Sequence, residues 1–247
     1  LAYIILICIC YPEVAFLKKT LVPSLYYPKN FLPYGYTGKA IINSFNIDLA
    51  TPAFYEFPIN RLVGNMYKNL NIPLWNPYQA CGTPLLAQYS TRVLFPYQIL
   101  ENISPYWLWD YFILGRLLIA GFFTYIFLRS LSLSISSSFL GGAFYMLSGS
   151  MIWFINLEQF VNVAMLVPVL LFCIEKLFAT LKNLYVVLLA LVFSLLHLAG
   201  QPEITIYVLL LAFLYYLFRV LSVPEKTKYY IKFTIAFLLG IGLSTPL

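Results

Sequence analysis

The chain has 247 residues, 62% of them hydrophobic and only 10% charged, with a net charge of +6 and a mean hydropathy of +0.83. Soluble domains carry about a quarter charged residues, so this chain has too little polar surface to stand as a free soluble domain. Its fifteen basic residues are spread over loops and flanks rather than gathered in a patch, which sets nucleic acid aside as a partner.

The apolar runs predict an all-α fold: a polytopic transmembrane helix bundle. A helix of about 20 apolar residues crosses the hydrocarbon core, and seven candidates follow one another. The first is Leu1 to Leu17. The others are Trp107 to Leu128, Ile135 to Ile155, Val161 to Phe178, Leu184 to Leu198 and Ile204 to Leu221, with a seventh beginning near Tyr230. Both ends of the chain fall in apolar runs. The expectation is therefore an N-terminal fragment of a larger protein forming a single membrane domain over 1–247. Residues 1–17 would be the first span, 18–106 a large loop, and 107–247 six further spans, the last one truncated.

Basic residues orient the array, because short cytoplasmic loops are enriched in Lys and Arg. Arg129 follows the second span, Lys176 and Lys182 flank the join after the fourth, and Arg219, Lys226 and Lys228 follow the sixth. The alternate joins, 156–160 and 199–203, have no basic residue. The large first loop is then extracytoplasmic. Within it, Tyr55 to Leu70 has the spacing of an amphipathic helix lying at the membrane surface.

In this orientation most acids collect on the outer side: Asp48, Glu56 and Glu101 in the loop, Asp110 in the second span, and Glu158 and Glu203 in the short outer joins. Asp48, Glu158 and Glu203 are expected around one outward-opening cavity. Depletion of basic residues from outer loops would produce the same enrichment without any site. Arg116 is a charge in mid-span, and should face the bundle and pair with a carboxylate or a bound anion. Asp110 precedes it by six positions, about 240° around a helix, so the two are not same-face partners.

Four cysteines do not form a disulfide framework. Cys8, Cys10 and Cys173 stand in apolar runs and Cys81 is alone in the loop, while no spacing suits a metal. No metal-ligating residues and no cofactor are assigned, and the spacing leaves metal dependence open.

The most informative stretch is Asn71-Ile72-Pro73-Leu74-Trp75-Asn76-Pro77-Tyr78, followed by Cys81-Gly82-Thr83-Pro84-Leu85-Leu86-Ala87-Gln88 and Phe95-Pro96-Tyr97. Prolines and Gly82 fix a series of turns. Trp75 offers a flat amphipathic plane suited to a sugar face or the interface, with Asn76, Gln79, Gln88 and Arg92 supplying polar groups around it. The plainer reading is a tight loop in which Trp75 is a packing anchor. With Asp48 upstream, and with Gly141 to Gly149, Pro168 and Gly200-Gln201-Pro202 downstream, this order of motifs resembles the bacterial YfhO membrane-protein family. That family lies within the multi-spanning glycosyltransferases of the C-type fold.

The resemblance covers about residues 40 to 210. It implies sugar transfer from a polyprenyl-phosphate donor to an envelope polymer or lipid, at the outer leaflet of the bacterial cytoplasmic membrane. Membrane lipids are then obligatory partners. Asp48 occupies the place of the general base, and the chemistry suits a carboxylate beside the attacking hydroxyl. It also reads as a capping carboxylate ahead of Thr51-Pro52. Trp75, Asn76, Gln88, Arg92, Arg116, Glu158, Gln201 and Glu203 are the candidate substrate-binding residues. Arg61, Lys68, Arg92 and Arg116 are the candidate partners of the leaving phosphate, with Arg92 favoured. A His often stands in that family where this chain has Gln201. A transporter or flippase, and a non-catalytic envelope scaffold, are the other classes considered.

Overall fold

In the computed structural model the described residues are 1–17, 19–22 and 51–245. They are overwhelmingly helical, with only a two-residue antiparallel pairing of Trp75 with Pro84 and Asn76 with Thr83. Helix α1 (Ala2–Cys10) breaks at Tyr11, where Pro12 opens the short α2 (Pro12–Ala15). After a π-helical turn at Thr51–Glu56 come α3 (Phe57–Lys68) and α4 (Pro96–Ile103). The rest of the chain forms α5 (Trp109–Ser130), α6 (Ile135–Met146), α7 (Gly149–Trp153) and α8 (Glu158–Thr180), then α9 (Asn183–Leu198), α10 (Pro202–Leu221) and α11 (Lys226–Ser244).

Three stretches among the described residues are helical, long and apolar enough to cross a membrane: 106–130, 158–180 and 202–221. Helix α9 is apolar but shorter, with 16 residues. Many large apolar side chains on these helices face outward, among them Phe122, Leu191, Ile206 and Phe218, as side chains in contact with lipid would.

Helix α5 packs on α6 and α8, α8 on α9 and α10, and α9 on α11. The N-terminal ends of α5, α8 and α10 share one end of the assembly. There Arg116 reaches Glu158 and the Gly200 turn lies against Arg92. At the other end Glu175 accepts from the Tyr215 hydroxyl at 2.6 Å and pairs with Arg219 at 2.7 Å.

Two of the expected continuous spans are broken, the first at Tyr11 and the third further on. The third span is broken at Leu147 and Ser148, where Ser148 is extended and α7 starts afresh. Pro168 lies inside α8 without ending it. Proline has no N–H and leaves the carbonyl four residues earlier unbonded within the helix. That carbonyl is Ala164, and the Tyr145 hydroxyl of α6 donates to it at 2.8 Å.

Residues 51–103 have a small core of their own. Ile59, Val63, Leu85 and Val93 are buried together. Gly64 of α3 meets the backbone of α4 so closely that an added Cβ would sit 2.1 Å from the Asn102 carbonyl oxygen. The expected amphipathic helix forms as α3. Helix α4 was not expected, and its faces are reversed relative to a soluble helix. Gln98, Glu101 and Asn102 are buried while Leu100 and Ile103 are exposed.

Candidate functional site

The reversed helix α4 faces a buried cluster of charge built around two arginines. Arg92 ends a 3₁₀ turn in the left-handed region, φ 50°, a conformation that costs a non-glycine residue energy and needs support from its surroundings. The support is dense. Its guanidinium donates to Gln159 Oε1 at 2.9 Å and Asn60 Oδ1 at 3.2 Å, and pairs with Glu56 and, at 3.2 Å, with Glu158. Its aliphatic stem lies against Gly200 (φ +98°), where an added Cβ would stand 2.4 Å from Arg92 Cγ. One side chain thus ties together the turn before α3, α3 itself, the start of α8 and the turn before α10.

Arg116, on α5, is equally enclosed. It donates to Asn162 Oδ1 at 2.7 Å and Gln98 Oε1 at 3.1 Å. It pairs with Glu101, lies 3.7 Å from Glu158 and stands 5.0 Å over the Tyr97 ring. Glu158 and Asn162 are four apart on α8, which puts them on one face, so a single helix face serves both arginines. Asn60 Nδ2 also donates to Glu158 Oε2 at 3.0 Å.

Burial drives the electrostatics. It raises the Glu56 pKa, against the pull of Arg92. It pushes Glu101 up to about 8, against Arg116. At Arg92 burial opposes the charge, but the Glu56 and Glu158 carboxylates outweigh it and hold the pKa above the ordinary value. Three carboxylates face two guanidiniums. Among the described residues Glu56 Oε1, Glu101 Oε1, Arg92 Nε and Arg116 Nη1 are buried with no hydrogen-bond partner.

A small cavity, about 20 Å³ and so roughly the size of one water, reaches this cluster. Glu56, Asn60, Asn156 and Glu158 line it above Phe57 and Trp109. Val22 and Pro52, which flank the segment 23–50, line it too. A second, wider cleft of about 600 Å³ runs between Phe16, Lys19, Tyr106, Trp107, Asp110 and Tyr111. Arg61 lies over Tyr106 at 5.0 Å.

Of the residues singled out in the sequence, Arg92, Arg116 and Glu158 come together. Arg116 has the carboxylate partner it required, and Asp110 is indeed elsewhere, accepting from the Leu21 N–H at 2.7 Å and the Thr20 hydroxyl at 3.0 Å. Gln201 holds the N-cap position of α10 beside the Gly200 turn, and its side chain makes no capping hydrogen bond. Glu203 is exposed in the first turn of α10 and is not among the residues lining the cavity that Glu158 lines.

Trp75 is half exposed and folds over Gly82 (φ +111°), where a Cβ would meet its ring at 2.6 Å. Asn76 is spent on the Tyr78 N–H at 3.0 Å. Gln88 receives the Tyr55 hydroxyl at 3.4 Å. These three belong to the hairpin region of the loop, not to the charge cluster. Asp48 lies outside the described residues. Among the described residues no group of three or more His, Cys, Asp or Glu is placed to hold a metal.

No partner was expected for Glu56 or Glu101, and Asn60, Gln98, Asn156, Gln159 and Asn162 were not expected at the site. The available signal was the polar set Gln98, Glu101 and Asn102, spaced to share one face of a short helix. Set against family models, curated proteins and solved structures, the chain matches none.

Proposed function

We propose that the chain belongs to a polytopic membrane enzyme, similar to the YfhO family and of the C-type glycosyltransferase kind. It would transfer a sugar from a polyprenyl-phosphate donor to an envelope polymer or lipid. In this reading residues 18–106 form an extracytoplasmic loop seated on the helix bundle, and the charge cluster lies at the outer leaflet. The observation that carries the proposal is the cavity between Glu56, Asn60 and Glu158. It stands at one end of apolar helices and is flanked by both borders, Val22 and Pro52, of the segment that contains Asp48.

In the transfer, the acceptor oxygen forms a bond to the sugar C1 while the bond from C1 to the phosphate oxygen breaks. The phosphate leaves with the bonding pair, and the Asp48 carboxylate takes the acceptor proton. Arg92 and Arg116 are already engaged by Glu56, Glu101 and Glu158 and do not line the cavity, so they act as positioning residues. The leaving phosphate is better served by Arg61, which is exposed over the aromatic edge of the wider cleft. Trp107 and Tyr111 there offer flat faces of the kind that suit a sugar or the lipid interface.

A transporter is the second reading. The break between α6 and α7 favours it, since discontinuous helices build substrate sites in such proteins. The deciding experiment is Asp48→Asn in the full-length protein, assayed for sugar transfer from lipid-linked donors. Turnover falls by about 10²-fold or more with the thermal midpoint unchanged. Undiminished turnover removes Asp48 as base, and sugar accumulation in vesicles without bond formation favours transport.

A further inference from the structure

We infer that the cavity between Glu56, Asn156 and Glu158 binds one monovalent metal cation. Three observations converge on it. The first is charge: among the described residues Glu56, Glu101 and Glu158 face two cations, Arg92 and Arg116, so with all three carboxylates ionised one negative charge is unmatched at a largely buried site. Such a charge is costly unless a counter-ion accompanies it.

The second is direction. Glu56 is 3% exposed and lines the cavity, and its Oε1 has no hydrogen-bond partner among the described residues. Asn156 lines the same cavity, and its Oδ1 is likewise buried without a donor. Glu158 completes a set of carboxylate and amide oxygens, the donors that hard cations prefer. No basic side chain lines the cavity among the described residues.

The third is size. About 20 Å³ accepts one ion or one water. A divalent ion would replace one uncompensated charge by another of opposite sign, so the balance selects a monovalent ion.

The same negative charge can be met by a proton. The candidate holder is Glu101, which faces Gln98 on its own helix, Arg116 of α5 and, beyond it, Glu158 of α8 and Arg92. Cation and proton therefore compete, and the cation binds best above the Glu101 pKa. This inference does not depend on the transfer reading, because its readout is binding and stability rather than turnover.

The test uses full-length protein in detergent at about pH 8.5, above that pKa. Thermal unfolding is followed as sodium chloride replaces choline chloride at constant ionic strength. The midpoint rises by several degrees along a saturable curve, and the rise shrinks at about pH 6.5. Glu56→Gln removes the unmatched charge and abolishes the rise. Asn156→Ala removes one ligand without altering charge and weakens apparent sodium affinity about tenfold, which keeps the test available should Glu56→Gln not fold. Glu225→Gln, at an exposed carboxylate, leaves the response intact. Equal midpoints in sodium and choline overturn the inference. So does a sodium response that survives both cavity substitutions, or a larger response to magnesium or calcium at far lower concentration.

Discussion

The Arg116 guanidinium donates to the Glu101 carboxyl group in a contact in which neither side chain is exposed to solvent. The pair joins α5 to the reversed helix α4, so the polar face of α4 has a reason to turn inward. Because burial raises the Glu101 pKa to about 8, the folded protein holds a proton there that the unfolded chain releases above an ordinary carboxylate value. The contribution of Glu101 to stability is thus complete below pH 4.5 and is lost as pH rises through the folded-state value. Between these limits stability falls by up to about 1.4 kcal/mol per pH unit and then levels off. Thermal or denaturant unfolding in choline buffer measures the slope, and Glu101→Gln removes it. A slope of opposite sign, or one unchanged in the variant, contradicts this assignment.

Arg92 separates positioning from contact with substrate. Arg92→Met leaves the buried Glu56 carboxylate without its guanidinium partner and Glu158 with Arg116 alone, at 3.7 Å, and costs about 3–5 kcal/mol. It also frees the turns that Arg92 ties together. Arg61→Met, on the exposed face of α3, changes stability by about 0.5 kcal/mol or less but lowers transfer. Unfolding midpoints and turnover measured on both variants give opposite patterns.

The Tyr145 hydroxyl and the Ala164 carbonyl allow a double-mutant cycle. Tyr145→Phe in the natural background leaves a buried carbonyl without a donor and costs about 1–3 kcal/mol. With Pro168→Ala the backbone N–H of residue 168 takes that carbonyl, and the same Tyr145 change becomes nearly neutral. Equal costs in both backgrounds would mean that the hydroxyl does not compensate the proline.

Gly64 reports on the seating of α3 against α4. Gly64→Ala places a methyl group against the Asn102 carbonyl, forcing the helices apart at a cost of about 1–3 kcal/mol. Gly149, with nothing within 4 Å of an added Cβ, accepts alanine with little change. Paired unfolding measurements check the contrast.

The helices were largely legible in the sequence because hydrophobic runs and their punctuation are local signals. Arg129, Lys182 and Gly200-Gln201-Pro202 marked the joins, and α5, α8, α9 and α10 begin and end within a few residues of the expected limits. Gly141, Gly142 and Gly149 left a broken third helix open as a transporter feature, but the place of the break at Ser148 was not legible. A run from Ile135 to Ile155 has the composition of a continuous helix, and the interruption lies in the backbone at Leu147 and Ser148.

Arg116 was legible as a buried charge needing a partner, since an unpaired guanidinium among apolar side chains is untenable. Which of nine carboxylates would meet it was not, because Glu101 and Glu158 come to it from different helices. Local spacing also could not show that Arg92 belongs inside the fold. It follows a turn-rich loop that reads as surface, and only the packing of α3, α8 and the Gly200 turn encloses it. Trp75 and Gly82 were legible as a motif, and the structure supplies a packing reason for their pairing: the ring lies over a residue that can have no side chain.

In the proposed topology the loop holding Arg92, and with it the charge cluster, faces the exterior of the membrane. Cys81 is exposed in that loop and reports its side directly. The decisive measurement is labelling of Cys81 in intact cells by a membrane-impermeant thiol reagent, in a variant with Cys8, Cys10 and Cys173 changed to serine. The account predicts full labelling without permeabilisation. Labelling only after the membrane is opened would put the cluster on the cytoplasmic side and contradict it.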